Sequence, residues 1–247
     1  MALGHFIAII AVCGLGSIAS AQTTQNATDR PTWRVGLIGV GATSPFVGED
    51  ALSFGVIPAI SFDHGRFSSR LGRVSFAFVQ TETSEFSALV RTRSSGSPLD
   101  RDLSFEAGLE YAHEFGPSRT RIAATFTQDI TQEHDGRELS LRATQPITRL
   151  SFPASFYTGV NIRSDGLSEY LYGVRPNEAT INRPAYAPGP TITPFVGISG
   201  FIPLTRRLGL TANLSAEFLP DDIQNSPIVE NDDMTQVGGA LGLVYRF

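Results

Sequence analysis

Cysteine is almost absent from this chain: the only one, Cys13, lies in an apolar leading segment. Everything after it has no thiol, so disulfides, cysteine nucleophiles and cysteine metal sites are excluded there. Charge is also scarce, at 17% of residues, against about 25% in an ordinary soluble domain. The 19 Lys+Arg and 24 Asp+Glu nearly balance, and a net charge of −5 offers no reason to expect nucleic acid, which asks for a concentrated basic face. Long apolar runs are missing as well. Apart from the leading segment, no stretch approaches the ~20 apolar residues of a membrane-spanning helix. A phosphate-binding glycine loop and a zinc-ligand spacing are absent too, and no cofactor is expected.

What is present begins with an export signal. An apolar run from Phe6 to Gly16 precedes the small residues Ala19-Ser20-Ala21, placed for cleavage before Gln22. Residues 1–21 read as a cleaved signal peptide, although Met1 to His5 carry no Lys or Arg. A membrane anchor would need a longer run, and lipidation of Cys13 would need a small residue where Val12 stands. Residues 22–32, rich in Ser, Thr, Gln and Asn, read as a flexible lead, and 33–247 as a single domain.

That domain alternates. In residues 103–115, Leu103, Phe105, Ala107, Leu109, Tyr111, His113 and Phe115 fall on one face, with Ser104, Glu106, Gly108, Glu110, Ala112 and Glu114 on the other. A strand sorts such a pattern cleanly where a helix smears it. The segments 208–218 and 237–247 do the same, and weaker candidates run over 33–43, 52–63, 72–80, 84–91, 119–130, 137–146, 150–162 and 191–202. That makes eleven, while single-chain bacterial barrels have an even number. Either 66–80 is two pieces hinged at Gly72, or 84–91 is not part of the wall. The expectation is an all-β, transmembrane antiparallel barrel of 10 to 12 strands, with 12 favoured. Residues 163–190 and 219–235 would be long extracellular loops, and the stretches around 116–118, 146–149 and 204–207 tight periplasmic turns.

A soluble sandwich or lipocalin-like barrel alternates in the same way. Three features favour the membrane: the export signal, the glycine-rich strands, and the ending in Tyr245-Arg246-Phe247. Leu241, Leu243, Tyr245 and Phe247 form the alternating terminal strand that the barrel assembly machinery reads, in contact with outer-membrane lipid.

Several ordered motifs resemble the MipA/OmpV proteins. Gly39-Val40-Gly41 with Ser44-Pro45-Phe46-Val47-Gly48 is similar to the family's first strand and loop, and Ile57-Pro58-Ala59-Ile60-Ser61-Phe62 follows with the turn Asp63-His64-Gly65-Arg66. Tyr170-Leu171-Tyr172-Gly173-Val174 with Glu178-Ala179, then Pro184-Ala185-Tyr186, resemble its middle. Phe218-Leu219-Pro220-Asp221-Asp222-Ile223, Ser226-Pro227-Ile228-Val229-Glu230 and the closing Tyr-x-Phe resemble its end. Pro220 stands where relatives commonly carry Gly, and 66–91 matches poorly. The resemblance implies an outer-membrane scaffold joining a lytic transglycosylase to a bifunctional penicillin-binding protein for murein synthesis. Relatives are also described as adhesins or antigens.

The candidate sites follow. Tyr172, Gly173, Val174, Ser226, Pro227, Ile228 and Val229 mark motif loops; Pro227 holds Ser226 extended, which reads as a loop packed over the barrel mouth. Tyr157, Tyr170 and Tyr172 suit an interfacial girdle or loop packing. The inner face would carry Glu106, Glu110, Glu114, Glu138, Arg142, Glu217 and Arg246. Such charges either pair, closing the lumen, or stay hydrated and leave a small pore; the reading leans to an occluded barrel. Of the histidines, His64 falls on a turn, His113 on the lipid face, and Glu133-His134-Asp135 reads as a solvated turn rather than an acid/base cluster. No catalytic residue is expected. The function is expected to be non-enzymatic, as a scaffold, with a narrow passive channel or a surface adhesin as alternatives.

Overall fold

The computed structural model describes residues 31–230 and 235–247; the signal peptide and nearly all of the lead lie outside the described residues. Twelve antiparallel strands close into one barrel, in the order β1-β12-β11-β10-β9-β8-β7-β6-β5-β4-β3-β2. They are β1 (Thr32–Thr43), β2 (Leu52–His64), β3 (Phe67–Arg70), β4 (Arg73–Gln80), β5 (Ser84–Arg93), β6 (Ser104–Phe115), β7 (Thr120–Asp129), β8 (Arg137–Pro146), β9 (Ala154–Arg163), β10 (Thr191–Pro203), β11 (Leu208–Phe218) and β12 (Thr235–Arg246). Two short helices, α1 (Asp165–Tyr172) and α2 (Asp221–Gln224), interrupt the two longest loops. Among the described residues no helix is long and apolar enough to cross a membrane.

The parity problem resolves at Gly72. Its φ of +70°, beside Leu71 at +21°, turns the chain back on itself, so 66–80 forms the hairpin β3–β4. Glycine is the residue that tolerates this backbone. The segment at 84–91 is a full wall strand, extended to Arg93. Residues 150–153 are not strand: β9 starts at Ala154, and the Ile147 N–H closes a longer connection onto the Ala154 carbonyl at 2.8 Å.

Alternation becomes inside and outside. In a closed wall the period of two sends neighbouring side chains to opposite faces. Leu37, Phe54, Val56, Leu109, Tyr111, Leu214, Leu241, Leu243 and Phe247 are exposed on the outer surface, where lipid replaces water. Ser104, Glu106, Thr127, Glu138, Thr193, Thr211 and Glu217 are buried within. Two prolines sit inside strands, each beside an unpaired edge, which spares a ladder hydrogen bond: Pro58 lies above the reach of β3, and Pro194 just beyond the β10–β11 ladder.

The first strand begins and the last strand finishes at one end of the barrel, where Arg34 pairs with Arg246. Short turns gather there and the long loops at the other, so that end is periplasmic. The long loops meet over the extracellular mouth in a small apolar core of Phe46, Leu99, Leu167, Tyr170, Leu171, Tyr172, Val174, Leu219, Ile223, Ile228 and Val229. Among the described residues this lid is the one large apolar cluster the fold builds inside, because the barrel wall turns its apolar side outward.

Candidate functional site

Beneath the lid, charged side chains from five strands cross the lumen in one chain. Arg91 of β5 bonds Glu106 of β6 at 2.7 Å and Glu138 of β8 at 2.8 Å. Arg93, also on β5, bonds Glu106 and reaches Glu138 at 2.9 Å. Arg163 of β9 then joins Glu138 at 3.0 Å to Glu217 of β11 at 2.6 Å. Three guanidinium groups face three carboxylates, so the belt is neutral. Glu106, Glu138, Arg93 and Arg163 are nearly solvent-free. Charges so buried persist because Glu106 and Glu138 each accept from more than one planar guanidinium fork, and Arg163 ties Glu138 to Glu217.

A second, wetter tier lies nearer the periplasm. Glu110 accepts from Arg73 (2.9 Å), Arg121 (3.3 Å) and Thr125 (2.9 Å). Arg142 lies 3.7 Å over the Tyr157 ring, a cation–π contact, and the Tyr157 hydroxyl accepts from the Asn213 amide at 3.0 Å. Arg73 and Arg121 are partly exposed, whereas Tyr157 and Asn213 are buried.

The lid is fixed to the belt by specific polar contacts. Arg101, in the β5–β6 loop, donates to the carbonyls of Glu169 (2.6 Å), Tyr170 and Gly173 (2.9 Å) and pairs with Glu178. A guanidinium thereby satisfies the orphan carbonyls at the end of α1 and complements its dipole. Burial works against the Glu178 carboxylate, but Arg101 and the Arg175 amide hold it below the usual carboxylate range. Ser226 Oγ donates to the Tyr172 carbonyl at 2.6 Å, and Phe46 bridges to Val229, drawing three loops together. Gly173 ends α1 where a Cβ would stand 2.7 Å from Glu169 Cγ and 2.8 Å from its carbonyl oxygen. Burial pushes the Tyr172 hydroxyl up to about 12, with Arg163 opposing.

The expectation of a solvated turn at Glu133-His134-Asp135 is overturned at His134, which is buried. The Asp129 carboxylate accepts the N–H groups of Thr131 (2.8 Å), His134 (2.8 Å) and Asp135 (3.1 Å), curling the loop inward. His134 Nδ1 accepts the Gly136 N–H at 2.9 Å, leaving Nε2 to carry the proton 3.0 Å from Ser104 Oγ and 3.6 Å from Glu106. Its ring lies 4.9 Å from that of Tyr170. Burial depresses its pKa below that of a free histidine, against the pull of Asp129 and Glu106.

The other sequence candidates disperse. Tyr157 is a lumen residue and Tyr170 and Tyr172 are lid residues, so none of the three forms an interfacial girdle. Glu106, Glu138 and Glu217 lie in the belt, Glu110 and Arg142 in the lower tier, and Glu114 pairs with Arg119 by the periplasmic turn at 3.4 Å. Arg246 stands apart on the periplasmic rim, donating to the Arg206 carbonyl at 3.3 Å. His113 meets Ser84 Oγ at 2.7 Å on the outer face. The belt partners that sequence reading missed are Arg91, Arg93 and Arg163: Arg91 closes the segment read as 84–91, and Arg93 and Arg163 are each the last residue of a strand, just past the alternation that was visible. Arg101 had no signal: it is one charge in a Ser/Asp-rich loop. Among the described residues no group of acids, histidines or cysteines could hold a metal ion.

Comparison with known proteins now places the chain. The profile of MltA-interacting protein MipA matches residues 35–247. The outer membrane protein Omp26La of Vibrio anguillarum is 28% identical over 126 residues, 51% of this chain and 48% of that one. OmpV of Vibrio cholerae serotype O1 is 26% identical over 126 residues, again 51% and 48%. The chain thus spans about half the length of the curated relatives it matches. Among solved structures, an outer membrane channel from Pseudomonas putida F1 gives a TM-score of 0.45 at 8% identity, over 92% of this chain and 100% of that one. A Pseudomonas aeruginosa FadL homologue gives 0.41 at 8%, over 89% and 90%. With the match running through nearly every strand of the wall, the chain is an outer-membrane β-barrel that belongs to the MipA family.

Proposed function

We propose that this barrel is a closed, non-enzymatic docking protein whose working surface is its periplasmic rim. The belt and the lid leave the lumen barred, so function falls to the surface. The observation that carries the reading is the charge of that rim: Arg66, Arg119, Arg149, Arg206, Arg207 and Arg246 are all exposed there, opposed by Glu82 and by Glu114, which pairs with Arg119. Cations clustered on one face steer and orient an acidic partner. The family description names MltA as what MipA interacts with, the sequence resemblance implies a lytic transglycosylase as partner, and a murein enzyme reaching the outer membrane from the periplasm meets this face first. A penicillin-binding protein would join through that enzyme or beside it.

The test is binding of the organism's own lytic transglycosylase to the barrel in nanodiscs. Saturable, salt-sensitive binding is expected, weakened at least about tenfold by the combined change Arg149→Glu, Arg206→Glu, Arg207→Glu. Failure of the wild-type barrel to bind, or equal binding by the charge-reversed one, would overturn the reading. A passive channel is favoured by one observation, the partly exposed guanidinium groups of Arg73 and Arg121 in the lower lumen, which would select small anions if the lid opened.

A further inference from the structure

We infer that the wall is open sideways between β2 and β5 in its outer-leaflet half, and that this notch admits an uncharged acyl amphipath to a cleft under the mouth loops. β3 has four residues where its neighbours in the wall have eight or more, and it pairs with β2 only from Ser61 to His64. The β3–β4 turn stops partway up, held where the Thr92 N–H donates to the Gly72 carbonyl at 2.8 Å. Above that point β2, from Leu52 to Ile60, has β1 on one side and no strand on the other.

Unpaired backbone groups facing hydrocarbon are strongly disfavoured and persist only where they line water or a polar ligand. The outer face of this stretch, with Phe54 and Val56 about two-thirds exposed, is lipid-facing, so the unpaired edge sits between lipid and lumen. A second copy does not seal it. Two barrels inserted the same way up would bring their β2 edges together running the same way and crossed by twice the strand tilt, a geometry that forms no antiparallel ladder.

Both lips of the notch are electrically quiet. The inner face of β2 carries Ser53, Gly55, Ile57 and Ala59, all small or apolar. On the other side the segment leaving β5 offers Ser94, Ser95 and Gly96, and Arg93 just below them is already spent on Glu106 and Glu138. At its top the segment leaving β5 swings across, so that Ser95 and Gly96 share a cleft with Ser53, Phe46, Tyr172 and Gln236. Gln236 is more than nine-tenths buried, and its side-chain oxygen has no hydrogen-bond partner among the described residues. That oxygen asks for a donor. Glu49, also in the cleft, disfavours an anion. The fitting ligand is a neutral monoacyl amphipath with a hydroxyl-bearing head, its head on Gln236 and the serines and its chain in the notch against Ile57 and Ala59.

The probe is a monoacylglycerol carrying a diazirine in its acyl chain, at trace level in vesicles holding the refolded full barrel. Adducts are expected on the inward residues Ser53, Ile57 and Ala59 as well as on the outward Val56. A variant whose β3–β4 hairpin is lengthened to fill the notch should lose the inward adducts and keep those at Val56. Gln236→Leu should weaken the inward set about tenfold, the cost of one hydrogen bond to a buried group. The heat-modifiable gel shift confirms folding of each barrel. Adducts confined to outward residues in the wild type, or inward labelling unchanged in the lengthened barrel, would overturn the proposal.

Discussion

Glu138 accepts from Arg91, Arg93 and Arg163 together, three guanidinium groups on one carboxylate. Removing its charge leaves three guanidinium groups in a space where only Glu106 and Glu217 remain, and stranding a buried charge costs roughly 3–5 kcal/mol. Glu138→Gln should lower unfolding stability in urea by about that much, while Arg246→Gln at the rim should stay within ~0.5 kcal/mol. Equal effects at the two positions would mean that the belt is no more than a line of hydrated charges. His134 gives a pH dependence of definite sign. Its folded pKa lies below the free value near 6.5, so its contribution is complete above about pH 6.5 and falls away as acid protonates the ring on opening. Amide exchange in 130–136 and α1, corrected for intrinsic rates, should accelerate as the pH drops from about 7 to 5, and His134→Gln should flatten that dependence. An unchanged slope in the variant would assign it to other groups. Residue identities in the belt were half legible: the Glu positions follow from alternation, because parity alone sends them inward. Their Arg partners were hidden at strand ends, where alternation stops being informative, and His134 was hidden because its burial depends on three amides gathered by Asp129.

At the scale of elements, the wall was readable and the lid was not. β6, β11 and β12 announce themselves because one face meets lipid and the other meets packed polar side chains, a contrast that survives in sequence. β3 is too short to show a period, and only the even-strand requirement with Gly72 exposes it. α1 has two turns inside a long loop and buries its apolar side against other loops instead of a sheet, so nothing in its own sequence marks it. Its seat depends on Arg101 and on Gly173. Gly173→Val puts a branched side chain where the Glu169 carbonyl already stands, and Arg101→Ala strips the α1 carbonyls of their donor. Both should leave the barrel folded by the gel-shift criterion yet expose 164–190 to protease, with cleavage at least about tenfold faster than in the wild type for a loss of 1.4 kcal/mol or more. Resistance equal to the wild type in both variants would show that the lid is held by its apolar core alone.

The whole molecule is polarised from end to end. All 19 cationic side chains are arginine; among the described residues they supply the inner belt, the lower tier and the periplasmic rim, while the extracellular loops set Arg101, Arg175 and Arg183 among the more numerous acids Glu49, Asp50, Glu133, Asp165, Glu178, Asp221 and Asp222. Arginine suits the first role by its bidentate geometry and the last by its permanent charge. Residues 35–247 match the family, with loops packed over the outer mouth, ion pairs crossing the lumen and arginines exposed on the periplasmic rim. The central claim is that the lumen is closed, and single-channel current through the refolded barrel in a planar bilayer tests it most directly. Silence from the wild type, with discrete conductance appearing when Glu138→Gln is combined with Arg101→Ala, is the predicted result. Steady conductance steps from the wild type would contradict the account.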